Sequence, residues 1–299
     1  MSPEQSRRTA VLATAALLAL AACWGSTFFL IKDLLDRVPT LDFLALRFAV
    51  AAVALLVVAP RAIGRLSPVV RRHAMVLGGL YGLAQILQTA GLAQTPASIS
   101  GFVTGLYVVF TPLLAAAILR TRIPTITWAA VALATVGLAV LALNGLSIGY
   151  GEAITLASAV LYALHIVGLG AWSSAQDAIG MTILQVIVIA VVCTLGTLSG
   201  GIVLPDRTSD WLSVLYMAVV VGALGLLGQT WAQAHLPPTR CAIIMSMEPV
   251  FASFFAVWLG GEDLTARLLV GGTLVLVAML TVELAPRRAL EGEVPHIAV

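Results

Sequence analysis

Residues 98–119, Ser-Ile-Ser-Gly-Phe-Val-Thr-Gly-Leu-Tyr-Val-Val-Phe-Thr-Pro-Leu-Leu-Ala-Ala-Ala-Ile-Leu, decide the fold. The run carries no charge and is long enough to cross a hydrocarbon core, which takes about 20 apolar residues. Pro112 sits well inside it. A proline within a helix removes one backbone hydrogen bond and clashes with the preceding turn. In lipid the freed carbonyl must be satisfied by a neighbour or face a cavity. The stretch therefore reads as a membrane-spanning helix beside an internal space, although a plain structural kink would use the same residues.

The rest of the chain repeats that reading. Its 299 residues are 60% hydrophobic and 10% charged, with a mean hydropathy of +1.04. Soluble domains are about 45–50% apolar and about 25% charged. Ten spans are expected, at 9–31, 40–60, 73–94, 98–119, 124–143, 150–171, 179–199, 210–234, 239–259 and 264–285. Turn or charge signals separate them: Pro39, the basic stretch Arg61 to His73, Pro96, Pro124, Asn144-Gly145, Pro205-Asp206 and Pro237-Pro238. The fold class is thus an all-α polytopic membrane protein. The loops are too short for a soluble domain, and a disordered cytoplasmic tail is expected at 287–299. A net charge of +2 gives no reason to expect a nucleic-acid partner. Cys23, Cys193 and Cys241 show neither paired nor metal-binding spacing, so no metal and no cofactor is expected. Leu20-Ala21-Ala22-Cys23 resembles a lipoprotein cleavage site, but the apolar run continues through Phe28, Phe29, Leu30 and Ile31, which favours a full span.

Two halves echo one another. Trp24-Gly25 matches Tyr162-Ala163, and Arg47 matches Gln185, both at an offset of 138. Gln88-Thr89 matches Gln229-Thr230 at 141, and Pro112 matches Pro249 at 137. The halves are expected at 1–145 and 146–286, with five helices each. An odd number forces opposite orientation, so the two five-helix repeats are inverted, an arrangement that recurs in alternating-access transporters with a midplane site. Lys/Arg bias orients the chain. With the N-terminus in the cytoplasm, Arg7, Arg8, Arg61, Arg65, Arg71, Arg72, Arg120, Arg122, Arg240, Arg287 and Arg288 lie inside. Lys32, Arg37, Arg207 and Arg267 lie outside. Both termini are therefore expected in the cytoplasm, and the chain in the inner membrane.

Several motifs resemble a known family. Trp24-Gly25-Ser26-Thr27-Phe28 with Pro39 and Arg47, the segment Gly101 to Pro112, and Met247-Glu248-Pro249-Val250 followed by Gly261-Glu262-Asp263-Leu264-Thr265 together resemble an EamA-type member of the drug/metabolite transporter (DMT) superfamily. The resemblance covers nearly the whole chain. It implies five plus five helices and export of metabolites or drugs; bacterial members of this length include amino-acid exporters, some of them for aromatic amino acids. One departure is Arg120-Thr121-Arg122, where the family often has an acidic residue after the fourth helix. The pseudo-symmetry is broken in charge there.

Polar residues fall on helical stripes, and a polar group facing lipid is costly, so the stripes should face inward. They are Tyr81, Gln85 and Gln88; Thr104, Tyr107 and Thr111; Ser158, Tyr162 and His165; Gln229 and Gln233; and Cys241, Met245 and Glu248. With Trp24, they would enclose one wet cavity. Trp24, Tyr81, Gln85, Tyr107, Tyr162, His165 and Gln229 are the expected substrate-binding residues. Interhelical hydrogen bonding is the plainer use of Gln88 and Gln233. Pro112 and Pro249 are the expected kink and gating positions. Glu248 is the carboxylate nearest a bilayer centre; it suits a proton carrier, or an acid hydrogen-bonded within its own helix. Arg47 is expected to snorkel outward or pair with Asp42.

Such a cavity offers ring faces, cation–π partners for an ammonium, and amide, His and Glu groups for polar ends. A phosphate would call for a cation cluster, which is missing. The expected function is a secondary transporter exporting small metabolites by alternating access. Amino acids, aromatic or other neutral, rank first as substrate; hydrophobic cationic drugs rank second. A channel or scramblase ranks lower. An intramembrane enzyme ranks last, because no HExxH, no GxSxG and no aspartate pair is present. The partners are the solute, membrane lipids and, if transport is coupled, protons. No P-loop appears, so direct drive by ATP is not expected.

Overall fold

In the computed structural model, residues 3–119, 125–142, 149–197, 200–245 and 247–283 are described, and among them there is no strand. The helices are α1 (Pro3–Gly25), α2 (Thr27–Leu35), α3 (Thr40–Val58), α4 (Pro68–Leu92), α5 (Ala97–Gly105), α6 (Tyr107–Leu119), α7 (Thr125–Ala142), α8 (Tyr150–Trp172), α9 (Ala178–Thr197), α10 (Thr208–Leu215), α11 (Gly225–Gln233), α12 (Pro238–Met245), α13 (Glu248–Trp258) and α14 (Ala266–Glu283). A π-helical segment, Tyr216–Leu224, joins α10 to α11. Taken end to end, α1–α2, α5–α6, α10–α11 and α12–α13 are four interrupted rods, and the other helices bring the number of rods among the described residues to ten.

Seven stretches are long and apolar enough to cross a membrane: Arg8–Leu35, Thr40–Val58, Pro68–Leu92, Ala97–Ile118, Tyr150–Trp172, Ala178–Thr197 and Thr208–Gln233. The remaining three rods hold shorter apolar helices, Trp128–Gly137, Glu248–Trp258 and Ala266–Ala278. Seven of the ten expected spans are therefore present by length and composition. The first runs through Cys23 with one turn at Ser26, as the unbroken apolar run implied. Pro124, Asn144-Gly145, Arg120-Thr121-Arg122, the 145/146 boundary and the tail 287–299 lie outside the described residues.

The molecule inverts the soluble pattern. Val57, Val58, Leu195 and Leu12 lie on its surface, while Arg47, Gln85, His165, Gln185, Gln229, Gln233 and Glu248 are buried. A wide apolar surface fits a lipid solvent, in which polar groups turn inward. Lipid chains are as apolar as leucine, so close van der Waals contact and small residues hold the rods together. Two glycines are needed where the centre is tightest. A Cβ on Gly25 would lie 2.6 Å from Phe251 Cβ and 2.8 Å from the Ala252 nitrogen, and one on Gly105 would lie 2.5 Å from Pro249 Cγ. α13 therefore seats against α1 on one side and α5 on the other.

Packing follows a pattern. α4 lies along α8 and α9, and the segment Tyr216–Leu224 and α11 repeat this against α3 and α1. α6 contacts α8 as α13 contacts α1. α3 with α9, α5 with α13, and α7 with α14 pair across the molecule. Exchanging each rod for the one five later maps these contacts onto themselves.

The two ends of the bundle close differently. At one end polar groups fasten the rods. Arg37 donates Nε to Asp210 Oδ2 at 2.9 Å and Nη2 to Asp210 Oδ1 at 2.8 Å, and also pairs with Asp33. Lys32 Nζ donates to the Leu92 and Thr95 carbonyls at 3.1 and 2.9 Å. Glu262 accepts from the Ala97 and Ser98 amides at the N-terminus of α5, where a carboxylate also meets the positive end of the helix dipole. The other end closes by packing: the His73 ring stacks on Trp172 at 4.4 Å, and Gly180 lies against Leu66.

Candidate functional site

A narrow, partly open cavity lies at the centre. It is walled by α1, α2, α3, α4, α5, α6, α8, α11, α12 and α13, which meet where four of the rods are interrupted or carry polar stripes. Trp24, Tyr81, Gln85, Tyr107, Tyr162, Gln229 and Glu248, all expected site residues, line it.

One wall is a hydrogen-bonded chain. Arg47 Nη1 reaches Gln85 Oε1 at 3.4 Å, and Gln85 Nε2 donates to Tyr162 Oη at 2.6 Å. Tyr162 Oη donates to Gln88 Oε1 at 2.7 Å, and Gln88 Nε2 donates to Thr104 Oγ1 at 3.2 Å. Four rods are thereby tied through side chains. The i, i+4 and i+7 spacing of Tyr81, Gln85 and Gln88 places all three on one face of α4, from which the amides reach α8 and α5. Tyr81 packs edge-on to Tyr162, with ring centres 5.4 Å apart and planes at 72°.

The opposite wall holds the acid. Glu248, 7% exposed, opens α13 and accepts one hydrogen bond, from Tyr107 Oη at 3.3 Å. Pro249 follows it as an N-terminal residue of α13, not as a proline within a helix. The matched prolines are therefore not equivalent. Pro112 sits inside α6, and its rod breaks earlier, at Leu106. At a helix start the missing N–H of proline costs nothing, since that donor has no intrahelical acceptor in any case. Pro249 instead packs on Gly105.

Arg47 departs furthest from expectation. It neither snorkels nor pairs with Asp42. It is 3% exposed and lines the cavity. Its Nε donates to the Met217 carbonyl at 3.1 Å, and its guanidinium carbon lies 5.1 Å from the Phe48 ring centre. Asp42 accepts instead from the Val203 amide at 3.0 Å. The reason is helical geometry: positions five apart lie on different faces, whereas i+3 and i+4 share one. The match to Gln185 in the other half was the signal that pointed inward. Gln88 likewise lines the cavity while bridging rods.

His165 is not on the cavity wall. It is fully buried behind Tyr81, with ring centres 4.9 Å apart, and its Nε2 bonds Gln185 Oε1 at 2.8 Å. Ile166, one position on, lines the cavity in its place.

The π-helical segment contributes backbone. Its Met217 carbonyl holds Arg47, and its Val221 carbonyl accepts from Trp24 Nε1 at 3.1 Å. π-helical turns are uncommon and gather at functional sites. Two buried polar atoms in the wall, Thr89 Oγ1 and Gln229 Oε1, have no protein partner. Buried polar atoms are normally paired, so these two are available to a solute or to water. Among the described residues no group of His, Cys, Asp and Glu is placed to hold a metal ion.

Comparison with known proteins places the chain in a family. A protein from Archaeoglobus fulgidus described as an uncharacterized transporter is 27% identical over 273 residues, covering 90% of this chain and 84% of that one. A solved crystal structure, 20% identical, superposes with a TM-score of 0.69 over 93% of this chain and 98% of its own, and shares the fold. The model of the EamA-like transporter family matches twice, at residues 11–143 and 149–284. The chain is a polytopic membrane transporter and belongs to the EamA-like transporter family.

Proposed function

We propose that this protein is a secondary transporter that exports amino acids, aromatic or other neutral ones, through its central cavity by alternating access. The observation that carries the reading is the composition of the wall: one buried guanidinium, one buried carboxyl and a group of aromatic rings around a single space. An amino acid offers the complement, a carboxylate, an ammonium and a side chain. Both charges of a zwitterion lose hydration on entry, and that loss must be met by partners within the site. The Arg47 guanidinium disfavours hydrophobic cations, which places them second.

The architecture we infer is ten spans in two inverted halves, with both termini in the cytoplasm of a bacterial-type inner membrane. The exchange of contacts between rods five apart supports the repeat, and the Lys/Arg bias supports the orientation. The end fastened by Arg37, Lys32 and Glu262 then faces outward. Glu248 is the candidate for proton coupling, since its carboxyl is held by one long bond and lies on the cavity.

Solute counterflow in proteoliposomes tests the reading. Labelled phenylalanine or leucine should accumulate transiently in vesicles loaded with the unlabelled amino acid. A pH gradient should drive accumulation by wild type and not by Glu248→Gln. Absence of exchange for every amino acid, with exchange of a lipophilic cation, would overturn the substrate assignment. Equal pH response of both proteins would make Glu248 structural.

A further inference from the structure

Resting on the amino-acid reading, we infer that Arg47 is the carboxylate receptor of the cavity, and that Gln85 is the positioning residue that aims it. A charged side chain at membrane depth is costly, and such residues are almost always paired. Arg47 is 3% exposed. The ion pairs among the described residues join Arg8 to Glu4 and Arg37 to Asp33 and Asp210; none involves Arg47. Its protein contacts are a backbone carbonyl at Nε, an amide oxygen at Nη1 and two phenyl rings. All are neutral. They orient the guanidinium without cancelling its charge.

Glu248, the acid on the same cavity, is engaged by Tyr107 instead. The Tyr81 and Tyr162 rings stand on the Arg47 side, packed edge to face, with Tyr162 bound to Gln85. The cavity thus presents a fixed, desolvated cation that no described residue pairs with an opposite charge. A guanidinium is planar and binds a carboxylate through two parallel N–H donors. With Nε committed to Met217, the outer edge formed by the two Nη groups is the fork open to a solute. Gln85 fixes that edge because its own amide is fixed by Tyr162. Selection is then for solutes with one carboxylate, whatever their side chain, and a carboxamide or decarboxylated amine of the same shape is rejected. Leaving the charge without a partner is the cause of that rejection.

The test compares phenylalanine, phenylalaninamide, phenethylamine and N-acetylphenylalanine. Counterflow in proteoliposomes is read beside the thermal shift of the purified full chain in detergent, which reports binding even where transport fails. In wild type the free acid should exceed the amide by at least tenfold. Arg47→Gln should abolish that preference, and Arg47→Lys should keep part of it. Should Arg47→Gln fail to fold, Gln85→Glu serves: it sets an internal carboxylate beside the guanidinium, satisfies the charge, and should lower binding of the acid at least tenfold while the protein stays folded. Acid and amide behaving alike in wild type would overturn the inference, as would a preference that survives both Arg47→Gln and Gln85→Glu. If N-acetylphenylalanine is handled and free amino acids are not, the amino-acid reading fails while Arg47 as carboxylate receptor stands. If only phenethylamine is handled, both fail.

Discussion

The two walls of the cavity are built on different terms. On the arginine side, five side chains from four rods form an unbroken chain of hydrogen bonds from Arg47 to Thr104. On the glutamate side, Glu248 has one bond of 3.3 Å, and its helix keeps its place by close contact with glycines. The first wall is rigid because each member is held by the next. The second is held by shape and leaves its acid free to change partner. A carrier has to bind in a fixed geometry and also change state, and here the two tasks fall to opposite sides of one space.

Gly25→Val adds atoms where a Cβ alone would meet Phe251 and the Ala252 backbone. Overpacking of this kind costs about 1–3 kcal/mol and sometimes more. The expected result is a clear loss of thermal stability, with the arginine wall untouched. A variant as stable as wild type would show that α13 is not seated by α1.

Tyr162→Phe cuts the arginine wall in the middle, leaving Gln85 Nε2 and Gln88 Oε1 without their partner. Each stranded buried amide group costs about 1–3 kcal/mol, so a lower melting temperature and a large loss of counterflow are expected together. Tyr107→Phe is the matching cut on the glutamate side. It leaves one buried carboxyl, not two amide groups, without a partner, so the stability loss should be about half that of Tyr162→Phe, and the response to a pH gradient should change more than the melting temperature does. Equal effects of the two tyrosine changes would erase the contrast between the walls.

The smallest effect concerns the polar end of the bundle. Hydrogen bonds donated to Asp210, then to Asp33, raise the Arg37 pKa above its already high ordinary value. A raised pKa favours the charged form, so this contact is present throughout the neutral and alkaline range and is not lost as pH rises to about 10. The difference in melting temperature between wild type and Arg37→Gln should be flat from pH 7 to about 10 and should shrink with added salt, since Arg37 is partly exposed and screened. A difference that vanishes with alkali would contradict it.

Much of this was readable from residues. The apolar runs gave the helical class, and the stripes on α4 and α8 placed Tyr81, Gln85 and Tyr162 on the cavity because helical spacing is a strict geometric rule. What resisted reading depended on neighbours in space. His165 shares the stripe of Tyr162, but Tyr81 from another rod covers it. Arg47 looked like a residue near a helix end, and its inward course depends on the Met217 carbonyl, 170 residues away. Pro249 resembled Pro112 in sequence, yet one begins a helix and the other lies within one, because a rod breaks where its neighbours allow. Nothing in the composition of Tyr216–Leu224 announces a π-helix.

That segment has a mechanical meaning. Turns closed by i→i+5 bonds hold one residue more than α-turns over the same course. Were the segment to settle into α-geometry, each such turn would pass one residue along the rod and α11 would rotate by about 100° for each, carrying Gln229 around with it. The Arg47 and Trp24 side chains grip the Met217 and Val221 carbonyls and act as pawls on this screw. Arg47 and Trp24 also line the cavity, so the side chains on the solute's wall are the ones that hold this wider coil in place.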